Sequence, residues 1–317
     1  MMHIETLFKK AFERRRALYE DRATNCFRLF NGEGDGLPGL TLDWYGEYLL
    51  LQYFEPGLNE LTREIVGLIE SSPAMFPLTP GGVLLKNRLK SVDVFDMASA
   101  TRSVLLAGGA PPECYHVRQN GVAAVVDLVG GQSTGIFLDM RGVRDRLAAY
   151  YTPADVMLNL FCYTALFSVH ALKNGISSAV NVDLSRGLLD RARVNYAING
   201  LRIDDRDFIY GDSIGWTRRF HKKGVSFSFA LFDPPTFSRN RRRTFSVKRH
   251  YPEALALLSR IADRGWVLTS VNSPGIGVEE YIQFHPEGWK LEFLEHESSD
   301  FTRSGPPYLK AGLWRVL

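Results

Sequence analysis

The chain reads as an α/β protein: a mostly parallel sheet covered by helices on both faces, preceded by a small α+β domain. Two patterns predict this. From residue 113 onward, short apolar runs alternate with longer segments whose apolar residues recur at helical spacing. That is the pattern of strands buried on both faces and joined by helical crossovers. Before residue 113 the apolar segments are short and punctuated by turn dipeptides, as in a small twisted sheet. With 317 residues, 45% of them hydrophobic, two cores of this kind can be filled. The expected division is 1–112 and 113–317.

Ile4, Leu7, Phe8, Ala11 and Phe12 form an apolar stripe, with Lys9, Lys10 and Arg14 to Arg16 off it, which predicts an amphipathic basic helix. CFRLFNGEGDGLPGLTLDWYGEYLLLQYF breaks at NGEGDG, PG and YGE, and reads as strands with turns between them. Residues 58–70 look helical and 71–82 form a Pro/Gly/Ser-rich loop; AGGAPPE, 107–113, has linker composition. YHVRQNGVAAVVDL reads as a hairpin about Asn120-Gly121. Alternation then follows: strand 154–160, helix 164–173, strand 178–182, helix 185–198, strand 207–211, helix 213–221. It continues with strand 227–232, helix 248–262, strand 265–270 and two closing strands near 289–295 and 308–316. There is no internal repeat.

A net charge of +3 is too small to argue by itself for a nucleic-acid partner. Cys26, Cys114 and Cys162 are widely spaced without a CxxC pair, so neither a metal site nor a disulfide framework is expected, in keeping with a reducing compartment. MMHIETLFKKAFERRR lacks the long apolar core of a secretory signal. The most apolar window, Val156 to Leu172, is interrupted by Asn159, Thr164, Ser168 and His170, and reads as buried strand plus helix rather than a membrane span. A soluble cytoplasmic protein is the expectation.

Ligands of such a sheet bind beyond the carboxyl ends of its strands, near the point where strand order reverses. Asn159 and the FCYTA turn follow the first strand; Asp183, Asp212 and Asp233 end the next three. Asp is a good helix N-cap, which accounts for any one of these acids. Three in succession, the last followed by Pro-Pro, call for more. An acid about 20 residues past the first turn suits ribose hydroxyls. The absence of GxGxxG argues against a pyrophosphate-binding dinucleotide site. Asp233-Pro234-Pro235 is a rigid loop beyond a strand, able to present an acid and free carbonyls to a base, with Phe237 available for stacking.

These segments resemble the class I S-adenosylmethionine-dependent methyltransferases that modify bacterial large-subunit rRNA. NLFCYTALFSVHA is similar to that family's cofactor turn, VDLSRGLLDRARVNYAING to its second motif, TGIFLDMRGVRDRL to its FLDxRxxR signature and LFDPPTFSR to its DPPxFS loop. RLFNGEGDGLPGLTLDWYG resembles the segment that precedes the catalytic domain in the cytosine-C5 branch. The resemblance spans most of residues 25 to 317. It implies a Rossmann-like sheet of seven strands with the last antiparallel, and S-adenosylmethionine as cofactor. By position, it implies that Asn159, Phe161, Tyr163 and Thr164 line the donor pocket. Asp183 and Leu184 would meet the ribose, Asp212 and Ser213 the adenine, and Phe137, Asp139 and Arg141 the methionine end. Asp233, Pro234, Pro235 and Phe237 would face the target base, Asp233 also bordering the cofactor.

Three departures stand out. Ala165 replaces the family's glycine after YT, and alanine is penalised if that position needs a positive φ. No separate RNA-binding domain of the cytosine-C5 kind precedes NGEGDGLPG. The cytosine-C5 enzymes also need a cysteine after the fifth strand, where this chain has LTSVNSPG.

Carbon-5 of a pyrimidine is a poor nucleophile, so its methylation requires a thiolate to add first at carbon-6. Asn272 and Ser273 cannot do that. A purine nitrogen needs no covalent step. The guanine-N7 branch has DPPTFS, an SNN-like segment and SxDF, to which DPPTFS, SVNS (270–273) and SSDF (298–301) correspond here, so guanine N7 leads. The expected partner is RNA, 23S rRNA by resemblance. RNRRRTFSVKRH places Arg239, Arg241, Arg242, Arg243, Lys248 and Arg249 directly after the DPPTF loop, where they could contact phosphates. His170 and His250 receive no catalytic role. A non-catalytic RNA-binding descendant, a cytosine-C5 enzyme and a small-molecule methyltransferase remain open as alternatives.

Overall fold

A computed structural model describes residues 4–71, 79–89, 102–131, 133–239, 244–262 and 264–317; of 237–239 and 244–246 it describes the backbone alone. The chain divides into two compact units: residues 1–139 with 298–305, and residues 140–297 with 306–317.

The first unit opens with helix α1 (Ile4–Arg14) and the short α2 (Arg16–Glu20). Strands β1 (Cys26–Asn31), β2 (Leu40–Tyr45) and β3 (Tyr48–Tyr53) form an antiparallel meander. Helix α3 (Thr62–Ser71) then crosses to β4 (Gly82–Asn87), parallel to β3, and β5 (Val104–Gly108) closes the five-stranded sheet. The stripe foreseen on α1 is buried in full and shares a core with Phe30, Leu42, Trp44, Leu51 and Ile65. Ala107 and Gly108, expected to begin a linker, instead pair with Val83 and Gly82. The hairpin about Asn120-Gly121 forms as β6 (His116–Gln119) and β7 (Val122–Val125).

Residues 298–305 return to this unit. The Asp300 carboxylate accepts the Arg28 amide at 2.9 Å, and its carbonyl accepts the buried Arg15 guanidinium. The Arg28 guanidinium lies 4.4 Å above the Phe301 ring, and the Asn31 side chain donates to the Thr302 carbonyl. A side chain at Gly34 would put its Cβ 2.1 Å from that carbonyl oxygen, so only glycine fits. The SSDF segment therefore has a structural role in this unit.

The second unit begins with α4 (Arg141–Leu147), then alternates β8 (Val156–Leu160), α5 (Leu166–Lys173), β9 (Ser178–Asp183), α6 (Arg186–Ile198), β10 (Phe208–Tyr210), α7 (Ser213–Lys222) and β11 (Phe229–Phe232). A small hairpin, β12 (Phe237–Arg239) with β13 (Thr244–Ser246), precedes α8 (Val247–Leu258), β14 (Trp266–Asn272), α9 (Val278–Gln283), β15 (Trp289–Glu295) and β16 (Leu309–Val316). The seven-stranded sheet runs β10-β9-β8-β11-β14-β16-β15. The last strand, β16, enters antiparallel between β14 and β15; pairs from β10 to β14 are parallel. This is the foreseen Rossmann-like arrangement of seven strands with the last antiparallel. Alternate strand residues feed two cores: Leu158, Leu160, Ala230 and Phe232 lie in one, and Met157, Phe229, Leu231 and Leu268 in the other. Burial on both faces explains the continuous apolar runs. Strand order reverses at β8, so the crevice lies beyond the ends of β8, β9 and β11.

Candidate active site

The residues after β8 form a turn built from backbone conformation. Phe161, Tyr163 and Ala165 have φ of 57°, 53° and 58°, left-handed values that cost a residue with a side chain about 1–2 kcal/mol each. Ala165 does need the conformation that glycine supplies freely. Its neighbours carry the same strain, so the turn must be held from outside. The Phe161 amide donates to Ser213 Oγ (3.1 Å), the Cys162 amide to the Val182 carbonyl (3.1 Å) and the Tyr163 amide to Asp183 Oδ2 (3.0 Å). The buried Asn195 on α6 donates to the Thr164 carbonyl at 2.9 Å.

Asp183 ends β9 half-buried, and burial raises its pKa against the backbone amides that bond its carboxylate. Oδ1 accepts the Ser185 amide as Oδ2 accepts that of Tyr163. Each carboxylate oxygen has two lone-pair directions, so acceptor capacity is left for hydroxyl groups. Leu184 beside it is 40% exposed. Asp212 caps α7 through the Gly215 amide at 2.7 Å, so the ordinary capping explanation holds for this acid as well. Asn159 is buried; its amide nitrogen donates to Ser168 Oγ, which donates to Asn181 Oδ1, while Asn159 Oδ1 is buried with no partner. An orphan buried acceptor and spare carboxylate capacity near the ends of two adjacent strands suit a ligand rich in hydroxyl and amino donors, such as S-adenosylmethionine.

The loop after β11 is held by side chains. The Ser270 hydroxyl donates to Asp233 Oδ1, and the buried Tyr251 hydroxyl donates to the Ser270 carbonyl at 2.7 Å. Thr236 Oγ1 donates to the Asn272 carbonyl. Pro234 is buried and Pro235 exposed. The Asp-Pro-Pro loop and the end of β14 are thus one polar assembly. Sequence reasoning weighed SVNS for its missing cysteine and its likeness to the SNN segment of the guanine-N7 branch, without giving Ser270 a role. Ser270 lies directly after the β14 residue that pairs with Phe232, the residue before Asp233, and that register is the signal that could have found it.

The remaining expected residues fall elsewhere. Phe137 (46% exposed) and the buried Asp139 belong to the first unit, where the Asp139 carbonyl accepts both the amide and hydroxyl of Ser298. Arg141 opens α4 in the second. The side chains of Phe237 and Arg239, and all of Arg241, Arg242 and Arg243, lie outside the described residues. Lys248 is exposed and 3.3 Å from Glu280; Arg249 is exposed. Among the described residues no His/Cys/Asp/Glu cluster could hold a metal, and no helix is long and apolar enough to cross a membrane. Cys162 sits in the strained turn, where burial and then the Asp183 charge push its thiol well above the ordinary range. Cys26 and Cys114 lie in the first unit.

The family model for S-adenosylmethionine-dependent methyltransferases matches residues 27–308. The chain belongs to that family. S-adenosylmethionine is accordingly its cofactor. The chain is 31% identical to YwbD of Bacillus subtilis over 286 residues, covering 89% of this chain and 69% of that one. It is 32% identical to ribosomal RNA large subunit methyltransferase I of Photobacterium profundum over 253 residues, 79% of this chain and 61% of that one. It therefore spans roughly two thirds of these relatives' length. The crystal structure of SMU.776 complexed with SAH superposes with a TM-score of 0.87 at 26% identity, covering 98% of this chain and 80% of that one.

Proposed function

We propose that this methyltransferase modifies an RNA base, in large-subunit rRNA, by direct transfer to a ring nitrogen, guanine N7 being the atom favoured. The names of its relatives supply the RNA class. The observation that carries the chemistry is the polar assembly at the end of β14, in which Asp233 is bonded by Ser270 and no thiol is present among the residues from 270 to 273. The protonated, buried Cys162 thiol is no substitute for a thiolate.

S-adenosylmethionine, when bound, supplies a methyl group on a sulfonium, which an N7 lone pair can accept without losing a proton. Asn159, Phe161, Tyr163, Thr164, Asp183, Leu184, Asp212 and Ser213 would hold it, with Phe137, Asp139 and Arg141 as further contacts. Asp233 and the Pro234-Pro235 carbonyls would orient the base. A methylated N7 leaves the purine positively charged, and the Asp233 carboxylate offsets that charge as it develops. The base must leave its stack to reach the loop. Arg239, Arg241, Arg242, Arg243, Lys248 and Arg249 would contact phosphates; replacing Arg241 to Arg243 by alanine should weaken RNA binding and flatten its salt dependence.

The deciding experiment maps modified nucleosides in rRNA from cells with and without the protein by mass spectrometry. Loss of one 7-methylguanosine is expected. Loss of a 5-methylcytosine instead would overturn the direct mechanism.

A further inference from the structure

Asn272 is the last residue of β14, and its side chain is exposed. It lies two residues beyond Ser270, so the two side chains leave the same face of the strand. Ser270 uses that face to donate to Asp233. Asn272 is therefore placed beside the carboxylate, one strand position further out.

Its backbone is pinned on both sides. The Thr236 hydroxyl, from the Asp-Pro-Pro loop, donates to the Asn272 carbonyl. The next carbonyl, that of Ser273, accepts from Lys310 Nζ at 2.6 Å, and the Ser273 amide donates to the Tyr308 carbonyl at 2.8 Å. Lys310 is fully buried and also donates to the carbonyls of Tyr308 (3.1 Å) and Pro307 (3.3 Å). Three ammonium protons thus meet three carbonyls. A buried lysine costs several kcal/mol unless its protons are satisfied. Here it fixes the main chain directly after an exposed amide, which an ordinary surface asparagine does not require.

We propose that Asn272 is a specificity-determining residue that reads the edge of the target base, with Thr236 and Lys310 as positioning residues that hold its backbone. This rests on the RNA-base reading above. The amide carries one donor group and one acceptor, the complement of guanine O6 and N1–H. Pairing there leaves N7, on the other side of O6, open to the donor.

The test compares wild type with Asn272→Ala, Asn272→Asp and Lys310→Met. Affinity for a guanosine-containing single-stranded rRNA fragment is measured by fluorescence anisotropy with S-adenosylhomocysteine bound, which needs no transfer. Cofactor affinity and single-turnover transfer are measured alongside. Asn272→Ala should lower RNA affinity or kcat/KM roughly 10- to 100-fold, the scale of one bidentate base contact, with cofactor affinity within about twofold. Asn272→Asp should lose more, because a carboxylate repels O6. Lys310→Met should share the Asn272→Ala phenotype and accelerate hydrogen exchange at the Ser273 amide. Wild-type affinity and transfer in Asn272→Ala would overturn the inference, as would a parallel fall in cofactor affinity or the absence of RNA binding by wild type. Asn272-dependent binding without transfer by wild type would leave it standing and overturn the proposed function.

Discussion

The two walls of the candidate site are held by opposite means. On the proposed donor side, Phe161, Tyr163 and Ala165 adopt left-handed conformations, and the turn is fixed by its amides: Phe161 to Ser213, Cys162 to Val182, Tyr163 to Asp183 and Ala165 to the Cys162 carbonyl. On the proposed base side the backbone is restrained by proline and by side chains: Ser270 bonds Asp233, and Thr236 and Lys310 bond carbonyls at the end of β14. A strained turn clamped from outside keeps one shape, as the proposed cofactor role requires. A side-chain assembly, as proposed for the base wall, can change its contacts by substitution without disturbing the strand beneath it. The comparison predicts that variants on the two sides fail differently.

The largest effect is expected at Asp233. Asp233→Ala should slow transfer roughly 100-fold or more, the usual cost of removing an electrostatic group at a reacting centre, while calorimetry shows cofactor affinity within about threefold. Loss of affinity instead would move Asp233 to the donor side. Asp183→Ala should do the reverse. Removing the acceptor of the Tyr163 and Ser185 amides should weaken cofactor binding roughly 10- to 100-fold, with transfer at saturating cofactor largely retained.

A histidine lies behind each wall. His170, on the helix after the donor turn, is held down to about 4 by burial and then by Arg144. His285, stacked on Trp314 and bonded to Thr269 of β14, is held down to about 3 by burial, against its backbone bonds. Both are neutral when folded, and the unfolded chain takes up their protons first. Stability is therefore fully present above pH 6.5 and falls as pH drops toward 4 and 3, by up to about 1.4 kcal/mol per unit for each histidine. Urea unfolding at pH 7.0, 5.5 and 4.5 measures it; a flat profile would show that neither site excludes the proton. The smallest effect is expected at Ala165. Ala165→Gly should raise unfolding stability by about 0.5–1 kcal/mol in the same assay and leave cofactor affinity unchanged.

The same contrast explains what could be read in advance. Proline and aspartate announce a rigid loop by residue type, so DPPTF was legible. Strand-helix alternation follows from burial on both sheet faces, so the order of elements was legible too. Left-handed backbone at Phe161, Tyr163 and Ala165 was not, because nothing in those side chains favours it. At Phe161 and Tyr163 the conformation is held by acceptors 52 and 20 residues away. Ser270 and Lys310 were missed for a related reason: a serine in a strand and a lysine in another acquire meaning only through pairing across β11, β14 and β16. SSDF, residues 298–301, looked like a motif of the sheet domain and lies in the other unit, with 302–305.

That last segment bears on the order in which the molecule can be completed during synthesis. Arg15 and Arg28 are made early, but one of their partners, Asp300, lies 285 and 272 residues further along the chain. The Arg15 guanidinium is paired with Asp35 and that of Arg28 with Asp43, so both charges are met early; what waits for residue 300 is the acceptor of the Arg28 amide and a further carbonyl for Arg15. A protein stalled or cleaved before residue 300 therefore lacks these contacts of the first unit as well as strand β16 of the sheet.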